Sequence, residues 1–144
     1  MRGKLFATMA GYSGTPLIKK LGIADGMSAA ILGFPGDYET LLGELPDGVS
    51  FLSGLDGDGL DFIHCFETSE TSLRALFPRI RMALAPKGMA WISWPKKASK
   101  VPTEIDEAKV RSIGLETGLV DVKICAIDEV WSGLKFVIRL KDRP

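Results

Sequence analysis

The sequence predicts a single α/β domain with a mostly parallel sheet, helices on both faces and a C-terminal antiparallel hairpin. Three observations predict it. First, strand-like apolar runs at residues 27–32, 49–52, 60–66 and 89–93 alternate with helical apolar stripes. Second, Leu84-Ala85-Pro86-Lys87-Gly88 reads as a helix end and a turn leading into a buried strand, Met89-Ala90-Trp91-Ile92-Ser93. Third, only six residues, Asp128 to Gly133, separate the last two strand-like runs, 122–127 and 134–140. Six residues cannot carry a helical crossover, so that pair must be antiparallel.

Taken in order, Thr15-Pro16 suits an N-cap and first helical position, with Leu17, Ile18 and Leu21 on one face and Gly22 as the stop. Residues 27–32 form a buried first strand that ends in the turn Gly33-Phe34-Pro35-Gly36. A short helix over 37–45 carries Tyr38, Leu41, Leu42 and Leu45 at helical spacing. Residues 49–52 make a short strand. Leu60 to Phe66 is almost continuously apolar, as an interior parallel strand requires. Ser69 caps a helix whose stripe is Leu73, Leu76, Phe77, Ile80 and Leu84; Pro78 inside it predicts a kink or two helical pieces. Thr103 with Asp106 has the spacing of a capping box for a further helix that Gly118 ends.

Composition bounds the function. The 144 residues hold 18 Lys and Arg against 18 Asp and Glu. That balance argues against general electrostatic adhesion to nucleic acid or to an anionic membrane. Eighteen consecutive apolar residues occur nowhere, and no apolar leader opens the chain, so neither a membrane span nor export is expected. Cys65 and Cys125 sit inside strand-like runs and fit a reducing, cytoplasmic setting better than a disulfide framework. Residues 1–8 read as a leader or an appended segment, and 9–144 as the domain. The single histidine, His64, cannot build a zinc site with Cys65, because neighbours on a strand point to opposite faces.

Helix alternation closed by an antiparallel pair resembles the class I S-adenosylmethionine-dependent methyltransferases, a Rossmann-like fold. The resemblance spans residues 21–140 and rests on Leu21-Gly22-Ile23 through Gly26-Met27, on Leu60 to His64, on Leu84 to Gly88 and on the final hairpin. It implies a sheet order 2-1-4-5-7-6 in that family's labelling, with the third strand missing. It also implies S-adenosylmethionine as a cofactor, with Gly33, Gly36 and Glu67 at the cofactor positions. This chain departs from the family pattern there. Gly33-Phe34-Pro35-Gly36 replaces a Gly-x-Gly-x-Gly turn, and Leu52-Ser53-Gly54 ends the second strand where the family carries an acid. The cofactor site is therefore expected to be eroded. Gly11-Tyr12-Ser13-Gly14-Thr15-Pro16-Leu17, Ser93 to Lys97 and Trp131 to Lys135 are also similar to a family of small bacterial domains of unknown function, which implies no activity.

The candidate residues divide by what they could do. His64 titrates near neutrality when unperturbed but lies mid-strand, where a hydrogen-bonded core role is the simpler reading. Asp37 and Glu39 suit the start of a helix, and Arg74, Arg79 and Arg81 suit a solvated helix face. Glu67 at a strand's carboxyl end reads equally as a ligand carboxylate or as part of helix initiation beside Ser69. The most suggestive group is assembled by topology: Trp94, Lys96 and Lys97 after one strand, Asp128 and Trp131 at the hairpin, and Tyr12 and Ser13 ahead of the first helix. Together they form the expected rim of a pocket for a small anionic ligand. Alternatively, a lysine pairs with Asp128 or Glu129 and the tryptophans seal the sheet edge. No catalytic residue and no metal ligand is assigned. The sequence thus leaves three functions open: a non-catalytic small-molecule-binding domain, an active methyltransferase with a divergent cofactor turn, and a homodimeric interaction protein.

Overall fold

The computed structural model describes residues 15–52, 54–55 and 59–144. Its elements in chain order are α1 (Leu17–Leu21), β1 (Ser28–Leu32), α2 (Tyr38–Leu42), β2 (Ser50–Leu52), β3 (Leu60–Phe66), α3 (Glu70–Ala83), β4 (Leu84–Pro95), α4 (Glu107–Glu116), β5 (Leu119–Ala126) and β6 (Trp131–Ile138). The strands form one sheet in the order β2-β1-β3-β4-β6-β5. β1 is parallel to β2 and β3, and β3 to β4. β6 inserts antiparallel between β4 and β5. This is the order expected from the sequence, with no strand between β2 and β3 among the described residues.

Each face of the sheet buries its own core. On one side α3 and α4 cover Ile63, Cys65, Ile92, Trp94, Leu134 and Phe136. On the other, α1 and α2 cover Phe62, Phe66, Trp91 and Trp131. Trp91 ties α1 down, its indole N–H donating to the Leu21 carbonyl at 2.9 Å. α1 starts after Pro16 with no side-chain cap, so Thr15 does not cap it, whereas the other three α-helices are capped as their residue types predict. Asp37 accepts from the Glu39 N–H, Ser69 from Ser72 and Asp106 from Lys109.

Several boundaries differ from the sequence reading, each for a local reason. α3 runs unbroken through Pro78, which is exposed. Asp106, not Thr103, is the α4 cap; the Thr103 hydroxyl instead accepts from the Ile105 N–H at 3.2 Å. Trp131, Ser132 and Gly133 belong to β6 rather than to the hairpin turn. A serine-glycine pair reads as a turn, but Gly133 faces Trp91 and Ile127 across the sheet: an added Cβ would lie 2.9 Å from the Ile127 Cδ1. The strand needs a glycine there for close packing. Cys125 is half-buried on an edge strand instead of core. Residues 1–8, Tyr12 and Ser13 lie outside the described residues.

Gly114, inside α4, decides how closely that helix approaches the sheet. An added Cβ would meet the Phe136 ring at 2.2 Å. Glycine to alanine in a helix interior normally stabilises by about 1 kcal/mol. Here overpacking against a buried ring costs more, about 1–3 kcal/mol. We expect Gly114→Ala to lower the urea midpoint, and an increase would show that α4 can lift off β6 freely.

Candidate functional site

Two places at the carboxyl edge of the sheet were candidates. At the first, β1 ends in Gly33-Phe34-Pro35-Gly36, where the fold family would hold its cofactor. Gly33 has φ +82°, and an added Cβ would sit 2.4 Å from the Phe66 carbonyl oxygen. Its open side is therefore filled by the end of β3, not left for a ligand. Phe34 folds over the turn, its ring 4.8 Å from Phe66 and 5.9 Å from Tyr38 between centroids. Gly36 faces that same ring, with an added Cβ 3.2 Å from it. Glu67 turns onto its own chain, one carboxylate oxygen accepting from the Thr68 and Ser69 N–H groups at 3.0 and 3.1 Å. Neither Leu52 nor Gly54, beyond the end of β2, offers a carboxylate for a ribose. Among the described residues, these groups do not fit S-adenosylmethionine as the family holds it, and no chemical step follows through it.

Beneath that turn lies a buried polar chain. The Tyr38 hydroxyl meets the His64 Nδ1 at 2.7 Å, and the His64 Nε2 meets the Ser93 hydroxyl at 2.8 Å. A neutral imidazole donates through one nitrogen and accepts through the other, so it satisfies both hydroxyls at once. The ring stacks on Phe66 at 4.1 Å and is fully buried. Burial pushes its pKa from the ordinary 6.5 down to about 3 and raises that of Tyr38 far above its usual range. A histidine so placed is uncharged at neutral pH, and its protons belong to the chain. Cys65, on the opposite face, is pushed up to about 12 by burial first and by Glu67 second, so its thiolate is not formed at neutral pH.

The second place is a cleft of about 540 Å³ on the α3–α4 side. The loop after β4 supplies Trp94, Pro95, Lys96 and Lys97 to its wall. Residues 103–108, leading into α4, supply the second wall, and Ile124 and Ser132 the floor. The structure thus brings Trp94, Lys96 and Lys97 together and leaves Trp131 out. Trp94 pairs with Ser132 and Trp131 with Pro95 across the β4–β6 ladder, so the two indoles project from opposite faces. Trp94 is 6% exposed and Trp131 8%, so neither is an open aromatic wall. Lys96 is spent on structure: its ammonium donates to the Asp128 carbonyl at 2.6 Å and its backbone N–H to Val130 at 2.7 Å. The Asp128 carboxylate takes the Val130 and Trp131 N–H groups at 2.8 Å each and shapes the hairpin turn.

The cleft's carboxylates are committed as well. Glu104 accepts from the Glu70 N–H, Asp106 from Lys109 N–H and Glu107 from the Arg111 guanidinium at 2.7 Å. Lys97 donates to none of the described residues. Thr103, Glu104, Ile105, Ile124 and Ser132 were not singled out in the sequence; the loop spacing and the register of β5 on β6 bring them there. The Arg74 expected on a solvated helix face pairs with Glu70 and Glu116 there, at 2.9 and 3.4 Å. No group of three or more metal-ligating side chains occurs among the described residues, and no helix there is long and apolar enough to cross a membrane.

Solved structures similar to this chain include S-adenosylmethionine-dependent methyltransferases. One from Aquifex aeolicus superposes with a TM-score of 0.65 at 18% identity, covering 85% of this chain and 88% of that one. A TehB-like enzyme from Corynebacterium glutamicum gives 0.57 at 13% identity, covering 95% of each chain. Magnesium protoporphyrin IX methyltransferase from Synechocystis gives 0.54 at 11%, covering 85% and 78%. No family model and no curated protein sequence matches the chain. At these identities the likeness is one of fold, and the chain has the α/β architecture of the class I methyltransferases.

Proposed function

We propose that this chain is a non-catalytic, cytoplasmic methyltransferase-fold domain that binds a small anionic molecule in the cleft between the β4 loop and the start of α4. We group it with the small bacterial domains that share its Gly11–Leu17, Ser93–Lys97 and Trp131–Lys135 motifs. The observation that carries the reading is which of the cleft's charged groups lack a partner. Its three acids hold backbone or guanidinium partners, while Lys97, exposed in the cleft's wall, has none among the described residues. A cleft of about 540 Å³ is within the usual size of small-molecule sites. The filled glycine turn supports the absence of methyl transfer.

The test is heteronuclear NMR with citrate and adenosine monophosphate as separate probes. Under this reading the Trp94 indole, the Ile124 methyls and the Lys97 amide shift together on titration. Lys97→Glu then weakens binding at least ~10-fold without altering the unfolding midpoint, a loss of about 1.4 kcal/mol. Shifts centred on residues 33–37, or equal affinity in the variant, would overturn the reading.

A further inference from the structure

We infer that the outer edge of β5 is a docking strand for an extended acidic segment of a partner protein, alternating acidic with apolar side chains. β5 is outermost in the sheet and pairs only with β6, so the N–H and C=O groups on its outer side meet no other strand among the described residues. Proteins blunt such edges with bulges and charges. The bulge here falls between Asp121 and Lys123, leaving 123–126 in regular register. The two faces of that stretch differ in kind. Lys123 is paired with Lys135 on the α1 side, so two lysines stand side by side on one face, and the Lys123 ammonium donates to the Lys20 carbonyl at 3.3 Å. Burial first, and Lys123 second, lower the pKa of Lys135. On the other face Ile124, opposite Leu134, is 47% exposed, and Val122 in the bulge is 53% exposed. The one acid of the strand's first half, Asp121, is held by Arg111 at 2.9 Å.

An added strand alternates its side chains between the same two faces. Residues on the lysine face must be acidic, and those on the Ile124 face apolar. A second copy of this chain is a poor occupant, because antiparallel pairing of two β5 strands brings the Lys123 side chains of both copies onto one face. Strand addition of this kind draws affinity from main-chain hydrogen bonds and specificity from alternate side chains. The Ile124 face of this edge also floors the cleft, so the readout separates the two: an added strand protects the β5 backbone, whereas a small anion in the cleft shifts Lys97 without protecting residues 123–126.

The experiment uses the full chain and two fluorescent, end-capped octapeptides, one alternating glutamate with valine and one alternating lysine with valine. Binding is followed by anisotropy, and the contact is located by amide hydrogen exchange. The inference expects saturable binding of the glutamate peptide below ~100 μM, at least ~10-fold weaker binding to Lys123→Glu, and new protection at residues 123–126. Lys123 is exposed, so the variant keeps the fold, and Lys123→Gln gives an intermediate loss. Equal binding of the lysine peptide, no binding at ~1 mM, unchanged affinity in Lys123→Glu, or protection elsewhere would each overturn it. So would concentration-dependent dimerisation that protects the same amides without peptide.

Discussion

Acidification from pH 7 to pH 4 is expected to destabilise this protein steeply, and His64→Gln is expected to remove much of that dependence. The imidazole is held neutral between Tyr38 and Ser93, with its pKa lowered from 6.5 to about 3 by burial. In the unfolded chain it protonates near its ordinary value. Between about pH 6.5 and pH 3 the unfolded state therefore binds one more proton than the folded one, and stability rises with pH. The contribution is complete above pH 6.5 and lost by about pH 3. Its slope is at most about 1.4 kcal/mol per pH unit, and its full size is about 5 kcal/mol. That is comparable with the whole stability of a domain, about 5–15 kcal/mol. Urea denaturation at several pH values measures it. His64→Leu should be worse at neutral pH, since it strands two buried hydroxyls at about 1–3 kcal/mol each. A parallel pH slope in His64→Gln would mean that His64 is solvated and titrates normally.

Gly33→Ala is expected to cost about 3 kcal/mol of stability, against about 1 kcal/mol for Gly26→Ala. Both glycines have positive φ, +82° and +74°, so both substitutions incur the left-handed penalty of an L-residue. Only Gly33 adds a collision, with the Phe66 carbonyl oxygen at 2.4 Å; the space beside Gly26 is open to 4 Å. A backbone atom at the end of a central strand cannot swing aside as a side chain can. The difference between the two variants in urea or thermal unfolding isolates this contact. Equal losses would mean that Gly33 is free of β3 and that its turn retains the open glycine surface a cofactor needs.

The architecture was legible because it rests on period and connection length. The interior strand Leu60–Phe66, the capped helix after Ser69 and the six-residue gap before the last strand fix layers and order before any side chain is placed. The cleft was only half legible. Trp94, Lys96 and Lys97 are neighbours in sequence and line one wall of the cleft, but strand alternation, counted from the strand's start, decides which face each indole takes. The Ser132-Gly133 pair reads as a turn that holds Trp131, but β6 begins three residues earlier and sends the Trp131 ring to the face opposite Trp94. Lys96 looked like a ligand cation; only the hairpin's backbone geometry makes it a tie to the Asp128 carbonyl. Ile124 was invisible as a site residue, because exposure of an edge strand depends on which strand is outermost. The Tyr38–His64–Ser93 chain joins three elements and could not be found by spacing, although the mid-strand position of His64 pointed to a core role.

Phe34 packs over Phe66 and Gly33 lies against β3, so the chain's own residues fill the turn at which this fold takes its cofactor. Isothermal calorimetry of the purified chain with S-adenosylmethionine and S-adenosylhomocysteine tests it most directly. No saturable heat is expected up to ~1 mM of either compound, which puts binding weaker than about −4 kcal/mol. A dissociation constant of ~1–10 μM, about −7 to −8 kcal/mol, would contradict it and restore the reading of an active methyltransferase with a divergent turn.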